Sequence, residues 1–186
     1  MKKILSVILS VLLLLSGCKS TKGALNQAIT LREKITNSNG CSFHTVIQAD
    51  YGEKLYTFSA DCVTDREGNL TFTVTSPDSI SGITGKVRAT GGEVLFDDKV
   101  LAFQSMADDQ ITPVSAPWVF MKALRSGYIA SCSSDGEETD ISIDDSYAED
   151  SLRLQMRLKE EKPVLSEIYW QGRRVLTLTI ETFTFL

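Results

Sequence analysis

The sequence has little of the chemistry that metal sites and nucleic-acid binding require. Its 186 residues include a single histidine, His44, and its 19 basic residues are outnumbered by 24 acidic ones, which gives a net charge of −5. One histidine excludes a metal centre built on several histidines, and an acidic chain lacks the basic patch that binds nucleic acid. We therefore expect no metal, no other cofactor and no nucleic-acid partner.

Motifs that carry catalysis are absent as well. The sequence contains no phosphate-binding glycine loop, no Gly-x-Ser-x-Gly turn and no Cys-x-x-Cys pair. The acidic stretch 140–150 lacks the ligand spacing around a central glycine that a specific calcium site needs. The adjacent carboxylate pairs fall at predicted turns or loops, where side chains point into water: Asp97-Asp98, Asp108-Asp109, Asp144-Asp145 and Glu160-Glu161. We expect no catalytic residues and a protein that is not an enzyme.

No hydrophobic run is long enough to cross a bilayer. Residues 4–15 are apolar except for two serines and follow the basic start Met1-Lys2-Lys3, a pattern typical of a signal peptide over residues 1–17. The next segment, Leu15-Ser16-Gly17-Cys18, resembles a bacterial lipobox, whose cysteine is diacylated and becomes the new N-terminus. Cys18 is thus predicted to anchor the protein on the extracytoplasmic face of the cell membrane. The alternative is an ordinary cleaved signal that leaves a free thiol.

The rest of the chain is predicted to form one mainly β domain over residues 23–186, after a short tether at 18–22. Helical spacing predicts a helix from Gly23 to Ile35, after which the hydrophobic period changes to two. Eleven short strands separated by turn signals predict an antiparallel meander: 41–50, 54–63, 69–75, 82–90, 93–97, 100–105, 128–133, 138–144, 151–159, 164–170 and 173–185.

The last strand changes parity near its end. Leu176, Leu178 and Ile180 share one face, whereas Phe183 and Phe185 fall on the other. A bulge near Glu181-Thr182 would return both phenylalanines to the apolar side, since one extra residue reverses the alternation.

Two non-strand segments interrupt the meander and are predicted to form a helical lid. Pro117 is tolerated in the first turn of a short helix that ends at Gly127. The second segment spans residues 77–84. The predicted lid residues are Ile80, Ile83, Trp118 and Met121.

Export would place Cys41, Cys62 and Cys132 where disulfides persist. If Tyr51-Gly52 is a two-residue turn, Cys41 and Cys62 lie opposite each other as a non-hydrogen-bonded pair, whose close spacing suits a disulfide. Cys132 would then remain as a buried free thiol. Pairings that use Cys132 are the alternative, and a longer turn would break this register.

One apolar face runs along the predicted sheet and needs a cover. A strongly curved sheet with few helices tends to leave an interior cavity that favours acyl chains over polar ligands. The predicted cavity lining is Phe43, Phe58, Phe72, Val74, Phe96, Phe103, Leu154, Met156, Leu176 and Leu178. The alternative is a core in which the helices fill the concavity.

The pattern resembles the LolA/LolB-like lipoprotein-carrier superfamily. The matching features are the lipobox, the helix before the first strand, the run Leu70 to Pro77, the strand-turn-strand Gly92 to Leu101 and the helix after Pro117. This resemblance implies an eleven-stranded, unclosed antiparallel half-barrel wrapped around helices, which carries lipids or acylated lipoproteins.

The sequence thus favours a monomeric, membrane-anchored lipoprotein that binds or carries a lipid or another hydrophobic ligand in the half-barrel cavity. The alternative is a non-enzymatic scaffold with a packed core, whose surface binds another protein of the cell envelope. An exposed apolar patch of several hundred square ångströms would favour this second hypothesis.

Overall fold

The computed structural model describes residues 21–104, 106–107, 110–148 and 151–186. The predicted signal peptide at 1–17 and the predicted lipidation site Cys18 lie outside these residues. Within the described part, no helix is both long and apolar enough to cross a bilayer.

Two helices and thirteen strands make up the described chain. Helix α1 spans Thr21–Asn37, and helix α2 spans Ala116–Ser126 directly after a 3-10 turn at Pro113–Ser115. The strands are β1 (Gly40–Asp50), β2 (Leu55–Asp65), β3 (Leu70–Ser76), β4 (Thr84–Arg88), β5 (Gly91–Phe96), β6 (Lys99–Phe103), β7 (Met106–Ala107), β8 (Gln110–Ile111), β9 (Tyr128–Asp135), β10 (Glu138–Asp144), β11 (Arg153–Lys159), β12 (Lys162–Trp170) and β13 (Arg173–Phe185).

Eleven of the strands form one antiparallel sheet, in the order β6-β5-β4-β3-β2-β1-β13-β12-β11-β10-β9. The first and last strands of the chain therefore pair at its centre, while β6 and β9 are the two edges. Among the described residues, the short strands β7 and β8 pair with each other and not with the large sheet. The prediction of an eleven-stranded antiparallel half-barrel with an N-terminal helix and a short second helix is confirmed.

The predicted bulge in the last strand is also confirmed. The register between β1 and β13 shifts after His44, which opposes Thr182, so that Thr45 opposes Ile180 and Glu181 is the extra residue. The shift brings Phe183 into the core at 4% exposure, and its ring stacks on that of Phe43.

The predicted turn between β1 and β2 is wrong. Four residues, 51–54, separate the strands, and the backbone N–H of Tyr51 donates to the carbonyl of Lys54. Asp50 consequently pairs with Leu55, and the whole register is displaced by two residues from the predicted one. The side chain of Asp50 accepts a hydrogen bond from the Gly52 N–H at 2.8 Å, which supports the wider turn.

The predicted disulfide fails for the same reason. Cys41 opposes Thr64 and Cys62 opposes Phe43, so the two cysteines are not a cross-strand pair. Cys41, Cys62 and Cys132 are all buried free thiols. Burial raises the pKa of each of these thiols, which favours the protonated form over the reactive thiolate.

Helix α2 fills the concave side of the sheet. Eight of its eleven residues are buried, so it is apolar nearly all round, as is typical of a helix surrounded by protein. Phe120 packs edge-on against Phe43 of β1 with ring centroids 5.8 Å apart. Helix α1 packs against β9, β10 and α2. The two helices therefore occupy the centre of the trough and its β9 side.

Candidate functional site: the open end of the concave face

Most of the residues predicted to line a cavity are packed in the core. Phe43, Leu154 and Leu178 are at most 2% exposed. A side chain that borders a water-sized void would expose surface to that void, so this part of the trough is filled by protein. The others that share this burial, at 7% exposure or less, are Phe58, Phe72, Val74, Met156 and Leu176.

The predicted lid residues divide into two groups. Trp118 and Met121 lie on α2 and are buried inside the trough, so this helix fills the trough instead of forming a lid over it. Ile80 and Ile83, from the segment between β3 and β4, are partly buried and pack against the core.

Phe96 and Phe103 do not join the buried cluster. Phe96 is 52% exposed, and Phe103 is partly buried at the margin of the core. Both lie in the hairpin of β5 and β6, at the end of the sheet farthest from α1. The structure therefore separates these two residues from the other eight.

Strand pairing shows which face of this hairpin continues the core. Phe72 of β3 opposes Gly85, which opposes Val94, which in turn opposes Leu101. Side chains directly opposite each other share a face, so Val94 and Leu101 lie on the concave side with Phe72. Leu101 is 65% exposed. We call Val94, Phe96, Leu101 and Phe103 the open end of the concave face.

Sequence reasoning missed Val94 and Leu101 as candidate residues. Their signal is the period of two: each is two residues from a predicted lining residue, Phe96 or Phe103. The alternation of side chains along a strand could therefore have assigned both residues to the same face. The solvent exposure of Val94 and Leu101 could not have been predicted from this alternation, because it depends on which part of the sheet the helices cover.

Two aromatic rings lie against glycines at this end of the sheet. A Cβ atom added to Gly85 would come within 2.6 Å of two ring carbons of Phe72, and one added to Gly92 would lie 2.2 Å from the Phe103 ring. Each phenylalanine is the cross-strand neighbour of its glycine. The glycines thus let the rings lie close to the backbone, and the apolar surface is low and flat rather than a deep pocket.

The opposite, convex face of the same strands also carries apolar side chains. Val63, Leu95 and Val100 border a groove of about 400 Å³ together with threonines of β3 and β4. Leu95 and Val100 oppose each other in the hairpin. The β5–β6 hairpin therefore exposes apolar side chains on both faces.

The polar side chains of the described residues form no candidate metal centre. The single histidine lies on the convex face, with Nδ1 2.7 Å from Asp61 Oδ1 and Nε2 3.7 Å from Glu181 Oε2. Across the described ranges, no group of three or more His, Cys, Asp or Glu side chains is arranged to hold a metal ion.

A hydrogen bond connects the segment before α2 to the tip of the β1–β2 hairpin. The Tyr51 hydroxyl donates a hydrogen bond to the carbonyl of Ile111 in β8. Burial raises the pKa of Tyr51 to about 12. This contact connects the segment that leads into α2 to the turn between β1 and β2.

Comparisons with known proteins find similarity in three-dimensional structure only. Neither the protein-family models nor the curated proteins match the sequence. The crystal structure of LolA superfamily protein NE2245 from Nitrosomonas europaea is similar at 10% identity and a TM-score of 0.45, over 86% of this chain and 93% of that one. Mycobacterium tuberculosis lipoprotein LppX is similar at 14% identity and a TM-score of 0.41, over 87% and 93% of the two chains.

A third similar structure is the Pseudomonas aeruginosa MucA/MucB complex, at 13% identity and a TM-score of 0.34, over 87% of this chain and 56% of that one. The described part of this chain forms an open antiparallel sheet of eleven strands around two helices.

Proposed function

We propose that this chain with a LolA-like fold is a lipid-anchored, non-enzymatic binder or carrier of a lipid or another hydrophobic molecule, which it holds against the open end of its concave face. The observation that carries the proposal is the exposure of Phe96 and Leu101 on the face that elsewhere forms the core. Each methylene of an acyl chain that leaves water for such a surface contributes about 0.8 kcal/mol. The strip is apolar except for Lys99, which opposes Phe96 on the same face, so it favours an acyl chain over a ligand that is polar throughout.

Binding at the open end leaves α2 in place. Entry of a ligand into the centre of the trough would require α2 to leave, which breaks the hydrogen bonds from Arg32 Nε to the Leu124 carbonyl at 2.8 Å and from Arg32 Nη2 to the Gly127 carbonyl at 2.7 Å. The open end requires neither change. A short acyl chain is therefore expected to bind without displacing the helix.

The anchor at Cys18 remains a prediction from the lipobox. In the proposed function it holds the domain on the extracytoplasmic side of the cell membrane. Only residues 19 and 20 separate Cys18 from Thr21, the first residue of α1, so three residue-to-residue steps connect the anchor to the helix. Three residues extend at most about 11 Å, so the domain would stay near the lipid surface. Mass spectrometry of the N-terminal peptide from membranes should find a diacylated Cys18, and Cys18→Ser should release the protein from the membrane fraction.

The ligand site is tested by two neighbouring substitutions on opposite faces of one strand. Phe96→Asn changes the open end, and Leu95→Asn changes the convex face at similar exposure. In a titration of the full-length protein with a fluorescent fatty acid, we expect Phe96→Asn to weaken binding at least tenfold and Leu95→Asn to leave it within twofold. Equal effects of the two substitutions, or no binding by the unmodified protein, would contradict the proposal.

The packed trough supports a second candidate function, that of a scaffold whose surface binds another envelope protein. Its supporting observation is the complete burial of Leu154 and Leu178 by the protein's own side chains. Organic extraction of the protein purified from its own cells separates the two candidates. A co-purifying lipid supports the binder, whereas a lipid-free protein that captures a specific envelope protein supports the scaffold.

A further inference from the structure

The two edges of the large sheet differ in how they are protected. Strand β9 carries serines at positions 131, 133 and 134, and α1 packs against it. Strand β6 has the sequence Lys-Val-Leu-Ala-Phe, and Val100 and Leu101 are 62% and 65% exposed on its two faces. Exposed apolar edge strands are open to pairing with another strand, and proteins usually blunt them with charges, proline or a bulge. Apart from Lys99 at its start, β6 has none of these.

The hairpin turn determines which backbone groups of β6 face outward. Phe96 and Lys99 pair across the turn Asp97-Asp98, whose two φ angles are +49° and +58°. These are the positive values of a two-residue type I′ turn, in which the flanking residues form a hydrogen-bonded pair. Hydrogen-bonded and non-hydrogen-bonded pairs then alternate along the hairpin. Leu101 therefore bonds to β5, whereas Val100 and Ala102 direct their N–H and C=O groups away from the sheet.

We propose that β6 pairs with β6 of a second copy of this chain, antiparallel and centred on Leu101. In this register Val100 opposes Ala102 of the other copy, and the outward N–H and C=O groups of both residues form four hydrogen bonds across the two-fold axis. Leu101 opposes its own equivalent as a non-hydrogen-bonded pair. Two eleven-stranded sheets thereby become continuous.

The side chains of β6 are complementary to those of its own copy in this register. On the convex face the larger Val100 meets the smaller Ala102. On the concave face Lys99 meets Phe103, an arrangement that allows a cation–π contact, and two leucines meet at the centre. Every side chain of the five-residue strand thus meets a partner of suitable size and charge, which favours a second copy over an unrelated strand.

Charge also favours the antiparallel arrangement. Each hairpin has two carboxylates at its tip, Asp97 and Asp98, which an in-register parallel pair would bring together. The antiparallel pair places Asp98 opposite Gln104 of the other copy. Gln104 borders a groove whose charged residues are Lys86, Arg88 and Glu93, so the acidic tip meets an end of the neighbouring sheet with a net charge of +1.

A pairing of five-residue strands buries a small area, so we expect a weak dimer that concentration favours. The inference is independent of the proposed function, because its readout requires no ligand. The monomer expected from the sequence is the competing outcome.

The experiment is disulfide cross-linking of the full-length protein in membranes, with the unmodified chain as background. Leu101→Cys should form a covalent dimer on mild oxidation, because its equivalents face each other at about 4.5 Å between Cα atoms. Val100→Cys is the matched control. Its equivalents would be diagonal neighbours at about 7–8 Å, too far for a disulfide to form easily.

A second measurement uses the sedimentation of the detergent-solubilised full-length protein over a hundredfold range of concentration. The unmodified protein should show a mass that rises toward the dimer, and Leu101→Lys should stay monomeric because it places like charges together at the axis. Thermal unfolding should be unchanged in this variant, since Leu101 contributes little to the core. A monomer at all concentrations, or cross-linking of Val100→Cys as efficient as that of Leu101→Cys, would overturn the proposal.

Discussion

The guanidinium of Arg32 on α1 donates hydrogen bonds to the carbonyl oxygens of Leu124 and Gly127 at the end of α2, at 2.8 and 2.7 Å. A helix leaves its last carbonyls without intrahelical partners, and a cation there also interacts favourably with the helix dipole. Burial lowers the pKa of Arg32, which reflects the cost of taking its charge out of water. One side chain thus fastens the two helices that fill the trough.

Arg32→Ala is therefore expected to destabilise the fold. Hydrogen bonds to a charged group contribute about 1.5–3 kcal/mol, and the substitution leaves half-buried carbonyls without a partner. Urea unfolding should show a loss of this size. Arg32→Lys should recover only part of it, because an ammonium group cannot reach both carbonyls as a planar guanidinium does. The exposed neighbour Glu33 provides the control, since Glu33→Ala should change the free energy of unfolding by less than about 0.5 kcal/mol.

Gly92→Ala should disturb the open end through Phe103. The added methyl group would lie 2.2 Å from the ring, which must then move away from the sheet. We expect a loss of stability of about 1–3 kcal/mol, as is usual for overpacking. Combining Gly92→Ala with Phe103→Leu in a double-mutant cycle should recover part of the loss, because the smaller side chain removes the clash. Additive effects of the two substitutions would show that the close contact does not exist.

Tyr51 should make stability depend on pH in the alkaline range. Its pKa is about 12 in the folded protein because burial disfavours the phenolate, against about 10 when unfolded. The unfolded state then releases the proton first, so stability is complete below pH 10 and falls as the pH rises toward 12. The difference in unfolding free energy between the unmodified protein and Tyr51→Phe should shrink over this range. A difference that is constant from pH 9 to 11.5 would contradict the assignment.

The three buried cysteines are expected to resist thiol reagents in the native state. Their pKa values are raised by burial, and the thiolate is the reactive form. Cys18→Ser protein prepared without reductant should show no fast-reacting thiol when folded and three reactive thiols when unfolded in urea. If only one thiol reacts in the unfolded protein, two of the cysteines form a disulfide, as the sequence predicted for Cys41 and Cys62.

The strand pattern could be predicted from the sequence because side-chain parity is a local property. Ile180 and Phe183 have opposite parity in the chain but must both be buried, which requires an extra residue between them, and Glu181 is that residue. No knowledge of the partner strand is needed for this inference. The same reasoning correctly identified most of the apolar face.

The pairing of Cys41 could not be predicted in this way. The predicted and observed registers of β1 and β2 differ by two residues, and a shift of two leaves every side chain on its original face. The hydrophobic pattern therefore fits both registers equally well. Only the turn distinguishes them, through the hydrogen bonds of Tyr51 and Asp50.

The sequence by itself determined the strands, their apolar face and the bulge, because each depends on residues a few positions apart. The tertiary structure decided how much of that face is covered. Phe43 and Phe96 have the same chemistry and both lie on the concave side, yet α2 packs on the first and leaves the second in water. The coverage of the concave face depends on where α2 packs, some seventy residues along the chain from Phe43, and the position of that helix is a property of the whole fold.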